Sequence, residues 1–335
     1  MSKTKEVLKK ITNKLLLTSQ DSDYLAKLIF NERLNNYQMA SILTFLFVKG
    51  ESFAEIFSFV KFLKTKMKKI ALKGSLMDTC GTGGDNMNSF NFSTAASIVL
   101  SSCDVQIAKH GNRSVTSKSG SFDVLESLGI KIDLDTNQTK RFFEKHNICF
   151  LFAPNYHSTL KKFSELRKSL PFRTIFNLLG PLLNPAKLDY QLLGVSDRRN
   201  LKTHAECLKK LKIRKAWVVY NINGFDELTT TSKNLIVEVK NGHISKERIL
   251  DPKEIGFKIR KNDELKGGEA SENASLMKRV FEGETGALRD NIVLNSAVGL
   301  LISEKVKTIN EGIQRIEKKI DDGLVSKKLL SLKKV

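Results

Sequence analysis

The first seventy residues repeat apolar positions at the spacing of an α-helix. Val7, Leu8, Ile11 and Leu15 fall on one helical face, because residues three and four apart lie side by side on a helix. Three further helical stretches follow after short connections, which favour antiparallel packing. The pattern therefore predicts a small helical domain.

Each of the three further helices has a recognisable end. Asp21 or Ser22 is predicted to cap the second helix, and Gly50 ends a very apolar third helix over 37–48. Ser52 and Glu55 form a capping box for the fourth, which runs to about residue 67. So much apolar surface predicts either a subunit interface or burial against the rest of the chain.

From about residue 75, short strand-like runs alternate with helical stretches. The runs are LMDTC, VQIAK, ICFLFAP, YQLLGV and KAWVVYN, and the stretches lie near 93–103, 121–129, 138–146, 156–169 and 199–211. This alternation predicts an α/β domain with a mainly parallel central sheet flanked by helices. We therefore expect a small N-terminal α-helical domain over 1–72, which helices near 156–185 can join, and a larger α/β domain over 73–335.

The last third of the chain is less regular. Asn241-Gly242 between two apolar runs predicts a hairpin. The polar segment 251–275 is expected to be a surface excursion, and 286–319 returns to helix.

Charge and cysteine content limit the class of protein. The net charge of +20 is spread in ones and twos over 335 residues, which favours a lysine-rich solvated surface over a nucleic-acid ligand. The most apolar run, 39–48, is too short to span a membrane, and the start lacks a signal-peptide core. Four cysteines without a CxxC pair indicate reduced thiols and a cytoplasmic location. We interpret Cys80, beside a glycine run, as a small buried residue rather than a nucleophile.

The run GTGGD (81–85) follows the first predicted strand and leads into a helix. Glycine lets the backbone approach a ligand closely, and N–H groups at a helix start attract anions. The loop fits neither GxxxxGK[ST] nor GxGxxG, so it is neither a Walker A loop nor a dinucleotide fingerprint. It predicts a phosphate or magnesium site, although a structural turn stays open; the polar groups at its end are Asn91, Ser93 and Thr94.

A second loop of this kind follows the next predicted strand. KHGNR (109–113) precedes a hydroxyl-rich stretch that ends at Ser121. One lysine among many hydroxyls suits a pyrophosphate or ribose phosphate, and a serine-rich surface turn is the alternative. Because the carboxyl ends of parallel strands share one edge of a sheet, both loops can meet in one site.

These strings, in this order, resemble the anthranilate phosphoribosyltransferase family. GTGGD with the following NFST, KHGNR, and SGSFDVLESLG (119–129) carry the resemblance first. FAPNYH (152–157), RTIFNLLGPLLNPA (173–186), YQLLGV (190–195) and GFDEL (224–228) extend it over essentially the whole chain. Departures are confined to side chains around the predicted site: Ser89 stands where threonine is expected, and Phe92, Phe122 and Phe225 replace smaller or aliphatic residues.

The resemblance implies transfer of a phosphoribosyl group from phosphoribosyl pyrophosphate (PRPP) to anthranilate, in tryptophan biosynthesis. It implies that PRPP is held by Gly81, Gly84, Asp85, Ser89, Asn91, Ser93, Thr94, Lys109, His110, Gly111, Asn112, Arg113, Ser117 and Ser121. Anthranilate would meet Gly81, Asn112, Arg167 and His110, and Mg²⁺ would be bound by Ser93, Asp226 and Glu227.

The chemistry of these residue types agrees with the implied roles. Two adjacent carboxylates suit Mg²⁺, and the planar fork of Arg167 matches a carboxylate. From the residues alone, Asp226-Glu227 also fits a solvated turn, and Arg167 a solvated helix charge beside Lys168. Lys109 and Mg²⁺ would stabilise the departing pyrophosphate. Because the amine of anthranilate is neutral at pH 7, no general base is predicted.

Two other functions stay open on the residues alone: a pyrimidine-nucleoside phosphorylase, and a basic nucleic-acid-binding homologue without activity. The resemblance also implies a homodimer through the helical domain, an active site in the cleft between the domains, and a glutamine amidotransferase subunit as a candidate partner.

Overall fold

The computed structural model describes residues 3–31, 33–114 and 118–334. Its helices are α1 Lys3–Thr12, α2 Ser19–Phe30, α3 Asn36–Lys49, α4 Phe53–Lys66, α5 Phe92–Ser101, α6 Ser121–Ser127, α7 Thr136–His146, α8 Ala153–Tyr156, α9 Ser158–Lys161, α10 Ser164–Ser169, α11 Ile175–Leu179, α12 Asn200–Lys210, α13 Ala270–Phe281, α14 Ala287–Ile302, α15 Ile309–Asp321 and α16 Leu324–Leu332. Short 3₁₀ helices lie at Gly180–Leu182, Pro252–Ile255 and Asn262–Leu265. The strands are β1 Leu76–Gly81, β2 Gln106–Gly111, β3 Ile148–Phe152, β4 Tyr190–Gly194, β5 Lys215–Asn221, β6 Asn234–Lys240, β7 His243–Ile244 and β8 Arg248–Leu250.

The chain forms two compact units. The first takes in the chain up to Lys69 together with Pro154–Pro185, and the second takes in Ile70–Ala153 and the chain from Ala186 onward. The first unit is helical, and the second contains every described strand. This is the predicted fold class, a small helical part and a larger α/β part.

Aromatic rings form the core of the first unit. Phe30 on α2 packs edge-on against Phe59 of α4 at 5.3 Å and against Phe176 of α11 at 6.0 Å. Phe163 stacks on Phe176 at 5.4 Å between ring centroids. These contacts fasten the 154–185 segment to the N-terminal helices, and each aromatic pair adds about 0.5–1.5 kcal/mol to the burial of its surface.

The helix ends correct two sequence-based predictions. Thr18, rather than Asp21 or Ser22, caps α2: its hydroxyl accepts from Asp21 N at 3.1 Å, and Asp21 closes the capping box. The first helix ends at Thr12, so Leu15 lies beyond it and is 53% exposed. The Ser52 capping box of α4 is confirmed.

The sheet of the second unit has the order β3-β2-β1-β4-β5-β6-β7, and β8 also pairs with β6. Strands β1 to β5 pair in parallel, and β6 to β8 are antiparallel. All five predicted strands are present, and the hairpin turns at Asn241 and Gly242, whose φ angles are 49° and 79°.

The carboxyl ends of the parallel strands place the two glycine-rich loops. In the register of β1 and β4, Gly81 lies opposite Gly194, and β2 ends beside them at Gly111. The segments that follow β1, β2 and β5 therefore leave the sheet at one edge, where open α/β sheets bind ligands.

The segment 251–275 is predicted to be a surface excursion; most of its second half is exposed, but a few buried residues anchor it. Leu265 is fully buried, its carbonyl accepts from Phe90 N at 2.9 Å, and Gly267 N donates to Asn88 O at 2.8 Å. This part of the chain therefore packs along the first glycine-rich loop. Polar composition does not reveal this anchoring, because backbone hydrogen bonds and a few buried residues provide it while most side chains stay exposed.

Among the described residues, no helix is both long enough and apolar enough to cross a membrane.

Candidate active site

The first glycine-rich loop, 82–91, follows a backbone path that few residue types adopt. Gly83 and Gly84 have φ of 67° and 65°, and Asn86 and Asn88 have φ of 57° and 49°. Glycine takes this left-handed region freely, and asparagine tolerates it better than most residues. The sequence thus specifies a tight loop with bare backbone between β1 and α5.

Asp226 packs directly against this loop. Its Oδ2 accepts from Gly83 N at 2.6 Å. A Cβ on Gly81 would lie 2.1 Å from Oδ2, and a Cβ on Gly194 would lie 1.6 Å from the Asp226 carbonyl oxygen. Glycine at both strand ends is therefore required for the Asp226-Glu227 segment to approach the sheet.

The start of α5 joins Glu227 and Lys109 to the same place. Ser93 N donates to Glu227 Oε1 at 3.1 Å, and Lys109 Nζ donates to Ser93 Oγ at 3.3 Å and to Thr79 O at 2.6 Å. Thr79 Oγ1 in turn donates to the Ser93 carbonyl at 2.8 Å. Ser93, Asp226, Glu227 and Lys109, which are far apart in sequence, thus meet beside the first loop.

Burial and a neighbouring carboxyl perturb the Glu227 carboxyl. Burial raises its pKa well above the usual range, and the neighbouring Asp226 raises it further. Lys109 and the Ser93 N–H oppose the rise. Two crowded carboxyls gain from a divalent cation, because the cation removes their mutual repulsion.

The described residues contain no group of three or more His, Cys, Asp or Glu side chains that could hold a metal ion by itself. Asp226, Glu227 and Ser93 nevertheless supply hard oxygen atoms at one place. Mg²⁺ is commonly held by one or two carboxylates with substrate phosphates and water. The residues present therefore fit Mg²⁺ that arrives with a phosphorylated substrate.

Other predicted residues of the first loop shape it from within. Asp85 accepts from Met87 N at 3.1 Å and from Ser89 Oγ at 3.4 Å, which closes a turn. Gly84, near the start of the loop, has one of its left-handed φ angles, 65°. Thr94 is fully buried in α5, and its hydroxyl has no hydrogen-bond partner within the described residues.

The second loop is fastened at both ends by Asp123, which the sequence analysis did not select. Its Oδ2 accepts from Ser114 N and from Gly120 N, each at 2.8 Å. Ser121 Oγ donates to Asn112 O at 3.3 Å. A Cβ on Gly111 would lie 2.5 Å from Ser121 Oγ, so this glycine permits the close return of the chain. Ser117 lies outside the described residues.

The remaining residues of KHGNR face different surroundings. His110 is buried, and its backbone N–H donates to Asp78 Oδ1 at 3.4 Å. Arg113 forms a two-pronged ion pair with Glu126, at 2.9 and 2.8 Å, and its guanidinium lies 4.9 Å from the Phe152 ring centroid. Arg113 is thus already engaged by a carboxylate.

Arg167 belongs to the first unit, on α10. Burial lowers the pKa of its guanidinium, which lies 5.7 Å from the Phe176 ring centroid. No described carboxylate pairs with it, in contrast to Arg113. A desolvated guanidinium of this kind is prepared to bind a planar carboxylate from a ligand.

Cys80 is partly buried, where a buried residue was expected, and its surroundings do not activate the thiol. Burial raises the pKa of its thiol well above the ordinary value, and Gln191 Nε2 donates to its sulfur at 3.2 Å. A thiol held in this neutral form is a poor nucleophile.

Comparison with known proteins covers both parts of the chain. The glycosyl transferase family profile for the helical bundle domain matches residues 5–67, and that for the a/b domain matches residues 73–325. Curated relatives include the anthranilate phosphoribosyltransferases of Petrotoga mobilis, 41% identical over 96% of this chain and 94% of the relative, and of Clostridium beijerinckii, 42% identical over 96% of both.

Solved structures of anthranilate phosphoribosyltransferases also have the same fold as this chain. Anthranilate phosphoribosyltransferase from Thermus thermophilus superposes with a TM-score of 0.89 and 31% identity over 98% of each chain. The enzyme of Saccharomyces cerevisiae, in complex with PRPP and Mg, gives 0.88 and 25% over 98% of this chain and 96% of that one. With such identity along nearly its whole length, this chain belongs to the anthranilate phosphoribosyltransferase family.

Proposed function

We propose that this chain transfers the phosphoribosyl group of PRPP to the amine of anthranilate, giving N-(5-phosphoribosyl)anthranilate and pyrophosphate, a step of tryptophan biosynthesis. The observation that supports the proposal most strongly is a pair of hydrogen bonds. Asp226 accepts from Gly83 N in the GTGGD loop, and Glu227 accepts from Ser93 N at the start of α5. Bare glycine backbone, a helix N-terminus and paired carboxylates together suit a metal-bound diphosphate.

PRPP would lie over the two loops. The backbone at Gly81 and Gly84 allows close approach, and Asn91 and Ser93 present polar groups at the start of α5. The second loop adds the backbone of Gly111 and Asn112 and the hydroxyl of Ser121. The other residues that the resemblance assigns to PRPP are Asp85, Ser89, Thr94, Lys109, His110, Arg113 and Ser117.

Arg167 would bind the carboxylate of anthranilate, because it is a buried guanidinium without a described counter-ion. Asn112, His110 and Gly81 complete the assignment for this substrate. A planar, two-pronged contact fixes both the position and the plane of the aromatic acid, which orients its amine.

Ser93, Asp226 and Glu227 would hold Mg²⁺ through oxygen atoms. When bound, Mg²⁺ supplies positive charge that neutralises the pyrophosphate leaving group. Lys109, held by hydrogen bonds to Ser93 Oγ and Thr79 O, would add a second positive charge next to the pyrophosphate. Both effects favour a transition state in which negative charge grows on pyrophosphate.

The chain would act mainly by orientation. The bond from ribose C1′ to pyrophosphate breaks as positive charge develops on the sugar, and the neutral amine of anthranilate forms the new C–N bond. The amine then loses one proton to solvent, so no side chain is assigned as a base. Holding two reactants in line accounts for much of the rate in such reactions.

A homodimer through the helical unit, and a cytoplasmic location, belong to the same proposal. Six of the ten exposed large apolar side chains of the described chain lie between residues 15 and 48, so this surface suits a second copy. Association with a glutamine amidotransferase subunit stays a prediction that co-sedimentation can test.

The direct test of the activity follows anthranilate fluorescence with purified chain, PRPP and Mg²⁺. We expect fluorescence to fall only when all three are present. A parallel assay offers inorganic phosphate with uridine or thymidine, the substrates of the alternative phosphorylase. Unchanged fluorescence, or release of a pyrimidine base, would reject the proposed transferase.

A further inference from the structure

The buried side chain of Asn273, on α13, joins the two glycine-rich loops to each other. Its Nδ2 lies 2.9 Å from Asn91 Oδ1, which ends the first loop, and 2.8 Å from Ser119 Oγ, which belongs to the second. Only 1% of its surface is exposed. It lies in the segment whose composition predicted a surface excursion.

The backbone fixes the orientation of this amide. Gly268 N donates to Asn273 Oδ1 at 2.8 Å. Because a backbone N–H can only donate, the oxygen of Asn273 must face Gly268 and its Nδ2 must face the loops. A Cβ on Gly267 would lie 2.8 Å from Asn273 Oδ1 and 3.0 Å from Phe90 Cα, so glycine keeps this segment close.

The orientation of the Asn273 amide also determines the orientation of the Asn91 amide. Since the Nδ2 group of Asn273 is a donor only, Asn91 must accept with Oδ1, and Ser119 Oγ also donates to this oxygen at 3.2 Å. The Nδ2 group of Asn91 is therefore turned away from both. Within the described residues it has no hydrogen-bond partner, and it lies at the start of α5, where N–H groups favour an anion.

We propose that Asn273 is a positioning residue for PRPP, an inference that rests on the proposed function. It locks the Asn91 amide so that the N–H₂ end meets a phosphate oxygen. Asn273 itself does not touch the substrate. It determines which end of Asn91 does.

The test is the nearly isosteric change Asn273→Asp. The new carboxylate keeps an oxygen that accepts from Gly268 N–H, but a second oxygen replaces the Nδ2 donor that bonds Asn91. The side-chain amide of Asn91 then flips, so that its Nδ2 donates to the carboxylate and its Oδ1 faces the substrate anion. We expect the KM for PRPP to rise about 10- to 100-fold, the scale of a lost hydrogen bond to a charged group. The KM for anthranilate should change little.

Thr139→Val is the matched control, because it also removes a buried side-chain donor, the hydroxyl that bonds Asp135 O at 2.7 Å on α7. Its thermal midpoint should fall while its KM for PRPP stays at the wild-type value. If both variants lose stability alike and neither changes the KM for PRPP, Asn273 is merely structural and the inference fails.

A double-mutant cycle checks the route through Asn91. After Asn91→Ala has raised the KM for PRPP, adding Asn273→Asp should change it by less than about twofold, because the two residues act as one unit. Fully multiplicative effects would contradict the inference. If Asn273→Asp does not fold, Ser119→Ala removes the adjoining contact and should raise the same KM less strongly.

Binding of inorganic pyrophosphate with Mg²⁺, measured by calorimetry, separates the two claims. A wild-type chain that leaves anthranilate unchanged rejects the proposed function, yet weaker pyrophosphate binding by Asn273→Asp would still support the positioning of Asn91. Equal pyrophosphate affinity in the wild type and this variant would overturn it.

Discussion

Arg167 differs from Arg113 in lacking a described carboxylate partner. We expect Arg167→Ala to raise the KM for anthranilate about 10- to 100-fold, the scale for losing a hydrogen-bonded charge pair, and to leave the KM for PRPP nearly unchanged. Arg167→Lys should rescue it only in part, because lysine lacks the planar fork. The exposed neighbour gives a control, since Lys168→Ala should behave as wild type in steady-state kinetics. An equal rise in both KM values would contradict the assignment.

His157 predicts how stability depends on pH. Burial lowers the pKa of its imidazole from 6.5 to about 4, with Lys64 nearby adding to the shift. The unfolded chain binds this proton below pH 6.5 and the folded chain does not, so the free energy of unfolding falls as pH drops towards 4.

The histidine contribution should reach on the order of 3 kcal/mol across that interval. We expect His157→Gln to flatten the decline, measured by urea unfolding at several pH values. The control is His243→Gln at the exposed hairpin, which should keep the wild-type slope. An unchanged slope in His157→Gln would show that another group titrates.

At the scale of elements, the end of β4 determines where the Asp226-Glu227 segment lies. A Cβ on Gly194 would fall 1.6 Å from the Asp226 carbonyl oxygen, and backbone cannot yield as a flexible side chain does. We expect Gly194→Ala to reduce kcat/KM at least about 100-fold, because a displacement near 1 Å is costly in catalysis. It should also lower the free energy of unfolding by about 1–3 kcal/mol.

Gly180→Ala is the control for Gly194→Ala. Apart from its two chain neighbours, no residue comes within 4 Å of a Cβ built on Gly180, and its φ is −46°. This change should leave activity intact, and any loss of stability should come from Pro181, because a proline disfavours a helical backbone at a preceding residue that carries a Cβ. If Gly194→Ala were as active as Gly180→Ala, the close packing at β4 would not matter for the site.

Sequence patterns predicted helices and strands well where the apolar residues followed the spacing of a single element type. The parallel strands, the hairpin at Asn241 and the capping box at Ser52 were all read from local sequence and confirmed. The burial of Asn273 was not, because its partners at Asn91 and Ser119 are 182 and 154 residues away. Hydrophobicity alone does not reveal a polar side chain that is buried by satisfying distant loops.

The same reason limits prediction of the site. The glycine-rich loops at strand ends predict a phosphate site from the residues alone, because the carboxyl ends of parallel strands lie at one edge of the sheet. Asp226 and Glu227 looked equally like a solvated turn until the fold placed them against Gly83 and Ser93. Asp123, which ties both ends of the second loop, lay within a string already noted, and its spacing to Gly120 was a capping signal.

At the scale of the whole molecule, the exposed apolar face of α3 predicts association. Tyr37, Phe45 and Val48 recur at helical spacing and are 86, 39 and 58% exposed. We expect a dimer in sedimentation velocity at micromolar concentration, and a monomer after Tyr37→Asp with Val48→Asp. Ile249→Asp, at a 58% exposed apolar residue on β8, should leave the dimer intact. A wild-type monomer would contradict the prediction.

The central claim is that phosphoribosyl transfer depends on the carboxylates beside the GTGGD loop. The most direct measurement is the initial rate of product and pyrophosphate formation, followed by mass spectrometry and a pyrophosphate assay, in wild type and in the double variant Asp226→Asn, Glu227→Gln. The account predicts equimolar phosphoribosylanthranilate and pyrophosphate from wild type, and a rate at least about 100-fold lower from the variant. No product from wild type, or an equal rate from the variant, would contradict it.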